Sequence, residues 1–192
     1  MIYNPQYAGT DEVGRGCLAG PVTICSLILK SDILNDRLND SKKLSKKQRD
    51  ILFDEIIQIS DYKIVSYDVD VIDDLNILWA TMKGMKETLE TLNPIAAYID
   101  GNRCPKTHIP CEAIIQGDGK VPAISAASII AKVTRDRLMT DYAEIYPEYG
   151  FEKHKGYGTK QHLEALKKYG ITPIHRKSFA PVRNILQQPD LF

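Results

Sequence analysis

A β-branched, apolar run from Pro21 to Lys30 (PVTICSLILK) sets the first condition on the fold, because such a run is typical of a buried strand. Two more segments, Tyr62–Val69 and Ile95–Asp100, also predict strands. Helical segments are interleaved with these strands. The chain is therefore predicted to form an α/β layer fold with extra helices in its C-terminal part.

Capping signals and apolar periodicity mark the helices. Ser45 and Gln48 form a capping box, and Thr159 and Gly170 match the two ends of a later helix. The predicted helices cover about residues 45–59, 70–92, 123–142 and 159–169, with a short one from Pro181, and 150–158 is predicted as a loop.

The composition fits one globular domain with its own core. The chain has 192 residues, of which 43% are hydrophobic and 26% charged. We expect a single domain over residues 1–192, with a core over 1–142 and a helical C-terminal part and tail over 143–192. No pair of the four cysteines has C-x-x-C spacing, which argues against a zinc site. With a polar N-terminus and no long apolar run, the sequence predicts a cytoplasmic protein without a membrane partner.

The 25 basic and 25 acidic residues cancel in number but are unevenly distributed. Residues 41–49 carry five bases and no acid, residues 50–76 carry eight acids and one base, and residues 151–183 carry eight bases and two acids. A zero net charge therefore does not exclude a nucleic-acid partner.

Four carboxylates stand at or near the ends of predicted strands, beside glycines. Asp11 and Glu12 follow the first strand, Asp100 ends the strand over 95–100, and Asp118 lies in a QGDG turn. Acids in such positions point into a crevice at the sheet edge, although each alone also fits an ordinary turn aspartate. Because neighbouring strand residues face opposite sides, Asp11 and Glu12 share one site only if the strand distorts or one of them contributes its backbone carbonyl.

Converging carboxylates without histidine or cysteine partners suit a hard cation. Mg²⁺ and Mn²⁺ prefer such oxygen ligands. Two of these ions about 4 Å apart would clamp the attacking and leaving oxygens of an in-line phosphoryl displacement. We therefore expect Mn²⁺ or Mg²⁺ as cofactor, with two ions in each active site.

Seven motifs follow one another along the chain. They are GTDEVGRGCLAGPV (9–22), NDSKKLS (39–45), DDLNILWATM (73–82), IDGNRCP (99–105), QGDGKVPAISAASIIAKVTRDR (116–137), HKGYGT (154–159) and HRKSF (175–179). In these motifs and in their order, the chain resembles bacterial ribonuclease HII, the type 2 ribonuclease H family. Cys17 stands where the family usually has proline, which leaves the catalytic roles untouched. The resemblance implies a ribonuclease H-like mixed sheet flanked by helices, with a helical C-terminal extension.

The resemblance also implies an activity. The family hydrolyses the RNA strand of RNA–DNA hybrids and nicks 5′ to a single ribonucleotide in duplex DNA, leaving 3′-hydroxyl and 5′-phosphate ends. This implies a role in removing ribonucleotides and primers from DNA. Catalysis and metal binding are thereby assigned to Asp11, Glu12, Asp100 and Asp118, ribonucleotide reading to Gly14, Arg15 and Gly16, and substrate stacking to Tyr157.

The chemistry of these reader residues agrees with that assignment. A protein that distinguishes RNA from DNA must sense the 2′-hydroxyl, and glycines let backbone groups approach it closely. Arg15 can bind a phosphate, and Tyr157, between two glycines, can lay its ring on a sugar. The alternatives are an ordinary turn for Gly14–Gly16 and a surface loop tyrosine for Tyr157.

Basic and polar residues in the other motifs are further candidate substrate contacts. The expected contacts are Lys42, Lys43, Ser125, Ser128, Lys132, Lys155 and Arg176. A phosphate would explain the cations near the helix start at Ser45, although such a run also fits a solvated face. Ser125, Ser128 and Lys132 fall on one side of a helix, where close helix packing is the alternative.

The four histidines show no metal-ligand spacing. His154 and His175 lie in basic motifs and are expected to contact phosphate. His108 and His162 are expected to be exposed to solvent.

The C-terminal residues QPDLF resemble the short peptide with which bacterial replication and repair proteins bind the sliding clamp. Leu191 and Phe192 would be apolar anchors and Gln188 a polar one. A frayed or folded-back tail is the alternative. The expected partners are RNA–DNA hybrids, ribonucleotide-containing duplex DNA and the clamp, and the chain is expected to be a monomer.

Two other functions remain open at this point. A different nuclease on the same fold, such as a Holliday-junction nuclease, is disfavoured by Gly14–Gly16 and Tyr157. A catalytically silent hybrid-binding module would lack one of the four carboxylates, and all four are present.

Overall fold

The computed structural model describes residues 4–34, 36–38 and 44–187 of the chain. The strands are β1 (Tyr7–Val13), β2 (Val22–Leu29), β3 (Ser60–Tyr67), β4 (Ala96–Asp100) and β5 (Cys111–Ile114). The helices are α1 (Lys46–Gln58), α2 (Val69–Leu92), α3 (Pro122–Ile145), α4 (Phe151–His154), α5 (Lys160–Tyr169) and α6 (Ala180–Leu186). Within these described residues, no helix combines the length and the apolar character that crossing a membrane requires.

The five strands form one mixed sheet in the order β3-β2-β1-β4-β5. The central strand β1 runs antiparallel to β2 and parallel to β4, and β4 runs parallel to β5. This topology, with helices following the sheet, confirms the predicted α/β class with a mixed sheet.

The chain forms two compact units, each drawn from three segments of the sequence. The sheet unit consists of residues 1–13, 23–66 and 81–133, and the helical unit of residues 14–22, 67–80 and 134–192. The predicted single domain, with its core ending at residue 142, stays a prediction.

The core of the sheet unit is formed by β2 and α3. Seven of the eight β2 positions are buried, as the apolar run predicts.

The backbone of β1 approaches α3 very closely at Gly9. A Cβ added there would lie 2.1 Å from the carbonyl carbon of Ala123. Only glycine fits at this position, which lies two residues before Asp11.

The helix α2 is not the regular helix that the sequence predicts. Asn76 has a positive φ of 63°, and its side-chain oxygen accepts hydrogen bonds from the N–H groups of Leu78 and Trp79 at 3.0 and 3.2 Å. Asn76 therefore caps a new helical segment inside α2. Asparagine is one of the few residues that tolerates this conformation.

The core of the helical unit packs the segment after Gly16 against α3, α4 and α5. Leu18 and Ala19 belong to a buried cluster with Met139, Phe151 and Leu166. The prediction of a loop over 150–158 is wrong in its first half, because α4 forms there. The helix escapes prediction because it has only four residues, too few for a periodic pattern.

Candidate functional site

The acidic site of the sheet unit begins with two adjacent strands. Asp11 lies inside β1, so the prediction that Asp11 and Glu12 follow this strand is wrong; the strand continues through Val13. Because Thr10 of β1 pairs with Ile99 of the parallel strand β4, Asp11 and Asp100 follow at the same end of neighbouring strands.

Asp11 is buried among like charges. Burial raises the pKa of its carboxyl group well above the usual range, and the nearby carboxylates of Glu12 and Asp100 raise it further. Hydrogen bonds from the Ser128 side chain and from the Glu12 N–H act in the opposite direction. The N–H of Glu12 donates to Asp11 Oδ1 at 2.7 Å. The carboxylates of Glu12 and Asp100 therefore both lie close enough to Asp11 to repel its carboxylate.

Asp118 lies in a 3₁₀ turn, Gly117–Gly119, and its side chain is buried. The N–H of Gly117 donates to Asp100 Oδ1 at 2.7 Å, which ties the turn to the end of β4. The Ser125 hydroxyl donates to the backbone carbonyl of Asp118. These two bonds fix the backbone on both sides of the Asp118 carboxylate.

The donor set of this acidic site fits a hard divalent cation. Among the residues that the structure describes, no three Asp, Glu, His or Cys side chains form a ready-made metal-binding cluster. Mg²⁺ commonly takes only one or two carboxylates and completes its shell with water and substrate phosphates, so an open set of oxygen ligands suits it. A cation would also relieve the repulsion around Asp11.

The strand geometry bears on how Asp11 and Glu12 share this site. β1 pairs with β2 in continuous register, with Asp11 opposite Cys25 and Glu12 opposite Ile24, so the strand shows no bulge. The distortion considered from the sequence is therefore absent from this pairing. The other possibility considered from the sequence, that Asp11 or Glu12 contributes its backbone carbonyl to the site, stays open.

In the helical unit, Arg176 holds the backbone of the glycine-rich segment. Its side chain is fully buried and donates hydrogen bonds to the carbonyl oxygens of Gly14 at 2.6 Å, Arg15 at 2.9 Å and Gly20 at 2.9 and 3.0 Å. The predicted substrate contact of Arg176 is therefore wrong for this structure, because the guanidinium group faces the protein interior. Burial lowers the pKa of Arg176 to about 10.

Arg135 on α3 has a matching position that the sequence analysis missed. Its buried guanidinium group donates to the carbonyl oxygens of Pro21 at 2.8 Å, Ala19 at 3.1 Å and Lys155 at 2.8 Å. A Cβ at Gly14 would lie 2.2 Å from Arg135 Nε, so this glycine is required by a close approach as well as by its positive φ. The sequence offered no distinguishing signal, because Arg135 stands in KVTRDR among the charged residues Lys132, Asp136 and Arg137.

The structure brings Tyr157 beside the residue that follows Gly16. Tyr157 forms an antiparallel β-bridge with Cys17, and the N–H of Leu18 donates to the carbonyl of Gly156 at 2.8 Å. The Tyr157 side chain is 40% exposed. Arg15 and Gly16 are exposed as well and are accessible to a ligand, whereas Gly14, the third predicted reader residue, is buried.

The remaining predicted contacts differ in their surroundings. Ser125 is fully buried and bonded to Asp118, which favours the packing alternative for this side chain, whereas Ser128 is bonded to Asp11. Lys132 is half-buried, and Lys155 Nζ donates to the Thr140 hydroxyl at 2.8 Å. Lys42, Lys43, Gln188, Leu191 and Phe192 lie outside the described residues.

Three of the four histidines are buried. The expectation that His162 is exposed is wrong, and the burial of His154 and His175 excludes the expected phosphate contacts in this structure. His108 is exposed, as expected, and lies 3.5 Å from the Glu90 carboxylate. The ring nitrogens bond backbone atoms only two to five residues away. The burial comes from packing of the three rings against one another and against Tyr149 and Phe151, which no local sequence pattern predicts.

The order of the mixed sheet, with acidic residues towards one end of β1 and β4, resembles the arrangement in nucleases of the ribonuclease H class. The fold is similar to that of a PCNA:RNase HII complex from Archaeoglobus fulgidus, with a TM-score of 0.80, 29% identity and coverage of 89% of this chain and 93% of that chain. It is also similar to ribonuclease H2 from Pyrococcus horikoshii, with a TM-score of 0.77, 28% identity and coverage of 95% and 97%. The chain belongs to the ribonuclease HII family, whose model matches residues 8–182.

Curated relatives agree with this family. A ribonuclease HII from Burkholderia ambifaria is 54% identical over 181 residues, which is 93% of this chain and 83% of the relative. One from Coxiella burnetii is 52% identical over 181 residues, or 93% of this chain and 90% of the relative. The protein is therefore a ribonuclease H, an endoribonuclease.

More distantly, Bst-RNase HIII, solved in complex with Mn²⁺, has the same fold at 16% identity, with a TM-score of 0.71 over 94% of this chain and 69% of that one.

We predict that Arg176→Lys destabilises the protein. Lysine keeps the charge but loses the planar fork, so several buried carbonyls lose their donors, and each unsatisfied acceptor costs about 1–3 kcal/mol. Urea unfolding should show a lower midpoint for this variant than for Lys177→Met, which removes an exposed neighbouring charge. Equal midpoints for the two variants would contradict the supporting role of Arg176.

We also predict a loss of stability in acid caused by His162 and His175. Burial lowers the pKa of His162 to about 4 and that of His175 to about 3, whereas an unfolded chain titrates near 6.5. The unfolded state therefore binds more protons between these values, and stability present above pH 6.5 is lost as the pH falls towards 4. Unfolding free energies measured at pH 7 and pH 5 should differ less in His162→Asn than in the unaltered protein. His108→Gln, at an exposed site, is the control and should show the same difference between pH 7 and pH 5 as the unaltered protein. If His162→Asn also shows that same difference, His162 does not contribute to the loss of stability in acid.

Proposed function

We propose that this ribonuclease HII nicks duplex DNA 5′ to a single embedded ribonucleotide and hydrolyses the RNA strand of RNA–DNA hybrids. The products would be a 3′-hydroxyl and a 5′-phosphate. The observation that carries the proposal is the crowding of Asp11, Glu12 and Asp100 at one end of β1 and β4. Buried like charges are costly, and they persist where a catalytic task requires them.

In this proposal, Asp11, Asp100 and Asp118 would hold Mn²⁺ or Mg²⁺, with Glu12 completing the set and two ions in each active site. When bound, the ions supply the activation of water and the stabilisation of the leaving 3′-oxygen. The protein's own contribution is to hold these carboxylates in a defined orientation. Ser128 does this through its bond to Asp11, and the Gly117 N–H through its bond to Asp100.

Selection of the ribonucleotide is proposed to depend on Gly14, Arg15 and Gly16. Arg176 holds two carbonyls of this segment from inside, while Arg15 and Gly16 remain exposed. An exposed, fixed stretch of backbone can approach a 2′-hydroxyl closely enough to form a hydrogen bond with it. The Arg15 side chain is proposed to bind an adjacent phosphate, and the Tyr157 ring to stack on the sugar that follows the ribonucleotide.

Other expected contacts and partners are part of the same proposal. Lys42, Lys43, Ser128, Lys132 and Lys155 would contact the nucleic acid backbone. The terminal QPDLF would bind the sliding clamp, and the relative from Archaeoglobus fulgidus, solved in complex with PCNA, supports a clamp partner. We propose a cytoplasmic monomer that acts in the repair and replication of DNA.

The direct test uses a labelled DNA duplex with one ribonucleotide, incubated with Mg²⁺ or Mn²⁺. We expect a single nick on the 5′ side of the ribonucleotide, and a roughly thousandfold loss in Asp11→Asn, because charge stabilisation by bound metal is worth several kcal/mol. Asp74→Asn, at an exposed carboxylate of α2, serves as the control and should retain activity. The proposal fails if neither metal supports a 5′-side nick.

We predict that Tyr157→Ala lowers cleavage at a lone ribonucleotide about ten- to a hundredfold, the value of one aromatic stacking contact. Tyr157→Phe should retain most activity, because the ring does the stacking. Tyr62→Ala is a matched control, since Tyr62 is 41% exposed and Tyr157 is 40% exposed. Steady-state rates on the same duplex provide the measurement, and an unchanged rate in Tyr157→Ala would refute the stacking role.

A further inference from the structure

The helical unit contains a buried cluster of histidines that the proposed chemistry does not use. His154, His162 and His175 lie against the aromatic rings of Tyr149 and Phe151. His162 and His175 are fully buried. Buried imidazoles need defined hydrogen-bond partners, so the direction of each bond can be worked out.

The first bond in the cluster fixes the tautomer of His175. The backbone N–H of Thr172 donates to His175 Nδ1 at 2.9 Å. This nitrogen therefore carries a lone pair, and the proton of the neutral ring lies on Nε2. His175 Nε2 lies 3.0 Å from His162 Nε2 and donates to it.

The second ring continues the same direction. Because His162 Nε2 accepts a hydrogen bond, its proton lies on Nδ1, and Nδ1 is 2.9 Å from the backbone carbonyl oxygen of Tyr157. The two neutral rings thus form a one-way relay from the Thr172 N–H to the Tyr157 carbonyl. A second proton on either ring breaks the relay. On His162 it would occupy Nε2, so that two N–H groups would face each other. On His175 it would occupy Nδ1, which could then no longer accept the N–H of Thr172.

The relay ends on the peptide group that sets the direction of the Tyr157 side chain. The same carbonyl also accepts the N–H of Thr159 at 2.8 Å, so both of its lone pairs are used. His154 holds the preceding residue, since its Nδ1 accepts the N–H of Gly156 at 3.3 Å and its ring stacks on His162 at 4.7 Å. The backbone before Tyr157 has positive φ at Lys155 and Gly156, a conformation that needs such external bonds.

We propose that His162 and His175 are positioning residues that orient Tyr157, through a neutral imidazole relay to its backbone carbonyl. This inference rests on the proposed substrate contact of Tyr157. In this proposal, neither histidine touches the substrate or a metal ion. The relay would set the angle at which the exposed ring meets the nucleic acid, and so affect selectivity for the ribonucleotide.

The relay has a spectroscopic signature that is independent of activity. Long-range ¹H–¹⁵N spectra of the full chain at pH 7 distinguish the two imidazole tautomers. We expect the proton of His162 on Nδ1 and that of His175 on Nε2. A charged ring or the opposite tautomer in either residue would overturn the proposal, even if the protein nicks at ribonucleotides as proposed.

Two variants of His162 test the link to Tyr157. His162→Asn keeps a donor at the position of Nδ1, whereas His162→Phe keeps a ring and removes the donor. We expect kcat/KM at a lone ribonucleotide to fall about tenfold in the Phe variant and less than about threefold in the Asn variant. Equal losses in both would indicate a packing role and contradict the proposal.

A double-mutant cycle separates positioning from general damage to the fold. In a Tyr157→Ala background, His162→Phe should cause no further loss, because the ring that it orients is already absent. Additive losses would overturn the proposal. If His162→Phe does not fold, His175→Phe serves in its place, because it removes the donor towards His162. It should lower kcat/KM by itself and cause no further loss in the Tyr157→Ala background. Absence of 5′-side nicking by the unaltered protein would instead refute the proposed function and leave the tautomer result standing.

Discussion

Two buried guanidinium groups impose the main constraint on the helical unit. A buried charge costs several kcal/mol unless hydrogen bonds satisfy it, and Arg135 and Arg176 meet this requirement with backbone carbonyls of the segment between Gly14 and Pro21. The segment must therefore turn its carbonyls inward. Its exposed residues, Arg15 and Gly16, are left on a backbone that is fixed from behind, which is the condition that close recognition of a ribose requires.

The sheet unit solves a different electrostatic problem. Parallel pairing of β1 with β4 places Asp11 near Asp100, and Glu12 adds a third negative charge. Repulsion of this kind destabilises the folded protein by itself. In the proposed function this repulsion becomes useful, because the same carboxylates would be attracted to a cation bound together with a phosphate. Catalysis in the sheet unit and ribonucleotide selection in the helical unit are thus proposed to depend on separate sets of interactions.

Local signals made much of the fold predictable. The capping box at Ser45 and the caps of α5 are satisfied by neighbouring residues, so the sequence contains them completely. The kink at Asn76 and the short helix α4 were missed because their signals are weak or too short. The site shows the same division. Glu12 and Asp100, which the motifs single out, lie near Asp11. The surroundings of Arg176 and His162 were misjudged, because their partners include backbone atoms at Gly14 and Tyr157 that no pattern of side chains reveals.

The most direct test of ribonucleotide selection measures binding without cleavage. The Asp100→Asn variant keeps the substrate intact, and its Kd can be compared for DNA duplexes that differ only in one sugar. We expect a duplex with a single ribonucleotide to bind about tenfold more tightly than an all-DNA duplex, the value of one or two net hydrogen bonds to the 2′-hydroxyl. Methylation of that hydroxyl should abolish the difference. Equal affinity for the ribonucleotide and all-DNA duplexes would contradict recognition of the 2′-hydroxyl by Gly14–Gly16.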